Sequence, residues 1–164
     1  MTTTETPPDA PTVRLDLRRH APDFYKAMLH LEHAATRELD RAGVDPRLRE
    51  LVRIRASQLN GCAFCIDMHT KEARAIGETE QRIYALSAWR ETPFFAEKER
   101  AALALAESVT LLSVGHVPSD LYAEVAAELS EDEIAALVTL LVTINSWNRI
   151  SVSTRSPVPG SYQR

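Results

Sequence analysis

The chain has little of what marks secreted, membrane-spanning or nucleic-acid-binding proteins. Only two of its 164 residues are cysteine, Cys62 and Cys65, whereas a secreted disulfide scaffold carries more of them, spread along the sequence. Long apolar runs are missing. The longest, Ala135 to Ile144, is interrupted by Thr139 and Thr143 and falls far short of the ~20 residues of a membrane span. A basic excess is missing too: 19 Lys and Arg stand against 23 Asp and Glu, a net charge of −4. That balance argues against nucleic acid or an anionic membrane as a partner. Met1 to Val13 is rich in Thr and Pro and has no apolar segment, so no signal peptide is expected. One close cysteine pair in such a chain predicts a cytoplasmic protein with redox or metal chemistry. Strand patterns are also absent, since no Asn-Gly or Asp-Gly turn joins two alternating runs.

What remains is ordinary globular material, 45% apolar and 26% charged, long enough to bury a core in one domain. Helical periodicity runs from end to end. Phe24, Ala27, Met28, Leu31, Ala35 and Leu39 form one stripe after Pro22, and Leu48, Leu51, Val52, Ala56 and Leu59 a second after Pro46. A third runs from about Cys62 to Ile76 and stops at Gly77. Thr79 caps a fourth with Ile83, Leu86 and Trp89, and a fifth covers about Ala96 to Ser113. A sixth spans roughly Pro118 to Leu129, and Ser130 with Glu133 makes a capping box that opens a seventh. Gly43, Gly77 and Gly115 each follow a helical pattern, as left-handed closing residues do. The expected class is therefore all-α, a compact single-domain bundle of about seven helices. Residues 1–13 are expected as a flexible tail, 14–150 as the helical domain and 151–164 as a C-terminal tail or oligomer arm. The sixth and seventh stretches are apolar almost all round, which predicts a central core helix or burial against another subunit.

The chemistry sits in the third helix. Cys62, Cys65, Ile66, His69, Ala73 and Ile76 fall at offsets 0, 3, 4, 7, 11 and 14, one helical face. Cys65 and His69 are i,i+4 neighbours, and Cys62 and Cys65 have a spacing that permits a disulfide near a helix start. A peroxide bond is cleaved by a thiolate, and a free Cys titrates near ~8.5, so an activated pair needs help. Asn60 is a suitable N-cap, which would put Cys62 in the first turn and favour its thiolate. His69 favours Cys65 instead. An imidazole needs an orienting carboxylate, and Glu50 on the preceding helix is the candidate, with Ser57 one heptad later facing the same pocket. A second thiol three residues away condenses with a sulfenic acid before over-oxidation.

Blander readings stand beside these. A free Cys is commonly a small buried hydrophobe. A structural zinc site needs a second ligand pair, and His20, His30, His33 and His116 show no such spacing; no metal and no cofactor is expected. Ile66 occupies the place that covalent haem attachment reserves for His, and a thioredoxin fold needs strands. Glu50 suits a helix dipole, and Arg53 and Arg55 suit a solvated face paired with acids. Asn145, Trp147, Asn148 and Arg149 line a pocket or an interface, or cap the last helix.

Glu50, Ser57, Asn60-Gly61-Cys62-Ala63-Phe64-Cys65 and His69 together resemble the core of the AhpD-like alkylhydroperoxidases of the carboxymuconolactone decarboxylase superfamily, most clearly over residues 46–113. The resemblance implies an all-helical fold assembled as a homo-oligomer, a trimer or hexamer. It implies a thiol peroxidase in which Cys65 attacks the hydroperoxide and Cys62 resolves it into a redox-active disulfide. His69 and Glu50 would form the proton relay, and an external dithiol, in relatives a lipoyl-bearing protein, would reset the pair. Phe64, a possible pocket residue, stands where the best-known enzyme of the group has a histidine. The alternatives are a lactone decarboxylase, whose chemistry does not require the cysteine pair, and a non-catalytic redox sensor.

Overall fold

The computed structural model describes residues 12–164, and the expected tail at 1–13 lies almost wholly outside them. Among the described residues there are nine α-helices and one 3-10 turn, and no strand. In chain order they are α1 (Leu17–His20), α2 (Pro22–Arg41), α3 (Pro46–Leu59), α4 (Ala63–Ala75), α5 (Glu80–Ala85), the 3-10 turn Leu86–Glu91, α6 (Glu97–Thr110), α7 (Leu112–Gly115), α8 (Ser119–Glu128) and α9 (Glu131–Thr154). The two helices beyond the expected seven are short. Asp16 caps α1 by accepting a hydrogen bond from the Arg18 amide, and Leu111 breaks the fifth stretch into α6 and α7 by leaving helical geometry (φ −102°, ψ 41°).

Local chemistry explains most of the boundaries. Pro22 and Pro46 open α2 and α3, where the missing N–H costs nothing. Thr79 caps α5 through the Arg82 amide. The Ser130–Glu133 box opens α9, with the Glu133 amide donating to Ser130 Oγ at 3.3 Å and the Ser130 amide to Glu133 Oε2 at 3.0 Å. The expected left-handed Gly115 instead ends α7 in helical geometry, and His116 after it takes the positive φ of 56°.

Two apolar clusters build the core, and α3 lies between them. Leu48, Val52 and Ala56 pack with Leu39 of α2, Leu105 of α6, Val125 of α8 and Leu137, Leu140, Leu141 and Ile144 of α9. On its other side, Leu51 and Ile54 pack with Ala73 of α4, Ile83, Leu86, Trp89, Phe95 and Leu103. Helix α9 is thus a core helix, though Val138, Val142 and Val152 remain exposed on its outer side. The stripe expected on α2 is only partly buried: Met28, Ala35 and Leu39 are covered, while Phe24, Ala27 and Leu31 face outward.

The boundary drawn at residue 151 falls inside α9, which continues to Thr154 because Ser151 and Thr154 still have a buried face to cover. The segment after it lies along α4. Lys71 donates to the Tyr162 carbonyl at 3.1 Å, the Gly160 amide to Asp67 at 3.2 Å, and Glu72 receives Tyr162 and Arg164. No helix of the described residues is long and apolar enough to cross a membrane.

Leu137 is fully buried in the larger cluster. Leu137→Ala should therefore lower the unfolding free energy by about 2–5 kcal/mol, whereas Val142→Ala, on the exposed side of the same helix, should change it by less than about 0.5 kcal/mol. Urea titration monitored by circular dichroism measures both.

Candidate functional site

The turn between α3 and α4 sets the cysteines in place. Asn60 ends α3, Gly61 takes the left-handed conformation (φ 65°), and the Gly61 and Cys62 amides fold back onto the Gln58 and Ser57 carbonyls at 3.2 and 2.9 Å. This is a Schellman closure, and glycine is the residue that adopts its left-handed position without a Cβ penalty. The expectation that Asn60 caps α4 is corrected. Its amide side chain is engaged elsewhere, donating to Asn145 and Asn148 of α9 at 2.9 Å each. Cys62 itself is the N-cap of α4, its sulfur accepting from the Cys65 amide at 3.4 Å.

The two sulfurs form a disulfide across a Cα–Cα distance of 5.4 Å, and both cysteines are nearly covered, with 1% and 2% of their surfaces exposed. One turn later His69 is buried on the same face. Its Nδ1 lies 2.8 Å from Glu50 Oε2 on α3, so the acid expected from the preceding helix reaches the histidine. Arg53, one turn after Glu50, donates to Glu50 Oε1 at 2.5 Å and to Glu32 Oε1 of α2 at 3.2 Å. Glu32 in turn accepts from the Trp147 indole at 3.1 Å. Arg53 is therefore not on a solvated face. It joins four helices through one chain of polar contacts.

Burial pushes the Glu50 carboxyl up, but the His69 hydrogen bond and the charges of His69 and Arg53 outweigh it and hold the group below the ordinary carboxylate range. An ionised Glu50 accepts, so the His69 Nδ1 carries its proton and Nε2 is left to exchange one.

Two cavities meet at the disulfide. The first, about 340 Å³, has Cys65 and His69 in its wall with Tyr25, Phe64, Met68 and Trp147. A second, about 320 Å³, has Cys62 in its wall with Gly61, Arg14 and Arg155. Phe64, the possible pocket residue, is in the wall of both cavities, with Ser151 and Pro157. Ser57 is in neither: its hydroxyl accepts from Asn148 at 3.0 Å in the interior, and its carbonyl holds Cys62. Ser151, whose hydroxyl lies 3.9 Å from the Cys65 sulfur, was not anticipated, because 86 residues separate the two in sequence. Among the described residues no three His, Cys, Asp or Glu converge as a metal site would require.

The lowered carboxyl of Glu50 has a consequence for stability. A folded-state value below the unfolded one stabilises the protein above the unfolded carboxylate range, near ~4.3, and that stability disappears as pH falls through the folded value. Urea titrations between about pH 6 and pH 3 should show a steep acid loss in the wild type and a shallower one in Glu50→Gln.

Comparison with known proteins bears on the family and the fold. Residues 22–108 match the model of the carboxymuconolactone decarboxylase family. The chain is 47% identical over 133 residues to the uncharacterized protein YdfG of Bacillus subtilis (strain 168), covering 81% of this chain and 88% of that one. It is similar to the crystal structure of a protein of unknown function from Agrobacterium tumefaciens, described as a candidate antioxidant defence protein AhpD, with a TM-score of 0.83 and 38% identity over 90% of this chain and 99% of that one. A likeness of fold alone, at 17% identity, extends to an uncharacterized peroxidase-related protein with an alkylhydroperoxidase AhpD core from Ralstonia eutropha JMP134, with a TM-score of 0.74 over 87% of this chain and 74% of that one. The chain is an AhpD-like member of the carboxymuconolactone decarboxylase family.

Proposed function

We propose that the protein is a thiol-dependent peroxidase that reduces organic hydroperoxides and is reset by a dithiol. The observation that carries this reading is that Cys65, disulfide-bonded to Cys62, and His69, paired with Glu50, stand in the wall of one cavity. In the reduced enzyme the Cys65 thiolate attacks the outer oxygen of the hydroperoxide. An S–O bond forms, the O–O bond breaks, and the departing alkoxide takes a proton from His69 Nε2 to leave as an alcohol. Cys65 is then a sulfenic acid. The Cys62 thiol gives its proton to His69 as its sulfur attacks that of Cys65, the disulfide forms, and the hydroxyl leaves as water with the proton that His69 passes on. Two electrons have passed from the sulfurs to the peroxide, and the dithiol restores them. The first cavity supports a substrate with an apolar substituent, since Tyr25, Leu29, Met68, Ile144 and Trp147 line it and its volume exceeds by far the ~30 Å³ of a water.

The reductant belongs to the same reading: a dithiol. So does assembly into a homo-oligomer, a trimer or hexamer, in the cytoplasm. Phe24 and Leu31 on α2 and Val138 and Val142 on α9 support assembly, being large apolar side chains left exposed by one chain.

Peroxide consumption with dithiothreitol tests the activity. Cys65→Ser and Cys62→Ser should each abolish turnover, and His69→Ala should lower it about 10²–10⁴-fold. Sulfenate trapping should fail in Cys65→Ser and succeed in Cys62→Ser. A sulfenate trapped in Cys65→Ser would reverse the roles of the two sulfurs. Stoichiometric oxidation without turnover in the wild type would make the protein a sensor, not an enzyme.

A further inference from the structure

The disulfide stands between two cavities, and they differ in charge. The one at Cys65 has His69 and Glu32 among its lining residues. The one at Cys62 has no acid among its lining residues but has two arginines, Arg14 and Arg155. Among the described residues neither arginine has a carboxylate within ion-pair distance, although the chain forms fourteen such pairs elsewhere. Their backbones are fixed at the end of α9. The Arg14 and Leu15 amides donate to the Thr154 carbonyl at 2.8 and 3.2 Å, and the Arg155 amide to the Ser151 carbonyl at 2.9 Å. With Cys62 only 1% exposed, the blunt face of a folded protein does not reach its sulfur, so the thiol that resets it has to be small enough to enter the cavity.

We infer that the Cys62-side cavity is the binding site of the reductant, and that Arg14 and Arg155 select a small dithiol bearing a carboxylate. This rests on the peroxidase reading for its place in the cycle. The dithiol's thiolate attacks Cys62 Sγ, and the Cys62–Cys65 bond breaks with its electron pair going to Cys65. Cys65 leaves as a thiolate on the side where the hydroperoxide arrives, sharing that cavity with His69. The reductant's second thiolate then attacks its own sulfur in the mixed disulfide, closes a cyclic disulfide, and releases Cys62 as a thiolate that takes up one of the protons given up by the dithiol. Oxidant and reductant so work from opposite sides of one bond, and neither has to leave before the other approaches.

The test is reduction of the oxidised protein itself, which needs no peroxide. Dihydrolipoate and dihydrolipoamide carry the same dithiol and differ only in carboxylate against neutral amide. Wild type should be reduced about three- to tenfold faster by dihydrolipoate at low salt, the effect of two exposed charge pairs. The gap should shrink at high salt and close to about onefold in the Arg14→Gln, Arg155→Gln double variant. Thioglycolate, a carboxylate monothiol that cannot complete the exchange, marks the sulfur attacked. Acid quench and peptide mapping should find the adduct on Cys62. Equal rates with the two dithiols, a preference that survives in the double variant, or an adduct on Cys65 would each overturn the inference. Failure of the pre-reduced wild type to consume any hydroperoxide would instead overturn the peroxidase reading, and the selectivity for the carboxylate would stand or fall on the reduction rates alone.

Discussion

Glu50 carries its charge in the interior, in a helix whose other buried residues are mostly apolar. A buried carboxylate is costly unless it is paired and hydrogen-bonded, and here one oxygen faces His69 and the other faces Arg53. That arrangement fixes more than a charge. It sets the face that α3 turns toward α4, the tautomer and ring orientation of His69, and the nitrogen that is left to meet a substrate. Removing either partner would leave an uncompensated ion in the core, so the chemistry of the site and the packing of α3 against α4 depend on each other.

A second layer holds the cysteine turn from behind. Asn60, Asn145, Asn148 and Ser57 form an amide and hydroxyl network, and no buried side-chain polar atom of the described residues is left without a partner. Fully satisfied networks of this kind are rigid, because any shift leaves a donor or acceptor unpaired in a low-dielectric interior. The turn is thus clamped to α9, the helix that also brings Ser151 to Cys65 and Trp147 to the wall of the first cavity.

How much of this the sequence disclosed follows from distance along the chain. The seven long stretches, the Ser130–Glu133 box and the shared face of Cys62, Cys65 and His69 rest on spacings of two to seven residues, and those local rules carried over. Glu50 was identified because a histidine wants a carboxylate and the preceding helix offered one. The role of Asn60 was misread, since a residue between two helices suits either end, and only the left-handed Gly61 decides that α3 closes there. Arg53 lies one turn from Glu50, a visible pairing, but its bridge to Glu32 crosses to another helix and leaves no local trace. The same holds for Ser151 and for the exposed part of the α2 stripe. Period marks which side of a helix is apolar, and not whether this chain alone covers it.

Phe64 and Pro157 belong to both cavities at once. Protein interiors are packed densely enough that a shared wall yields to one side only by intruding on the other. A tight-fitting molecule on the Cys65 side would therefore crowd the chamber on the Cys62 side without touching its contents.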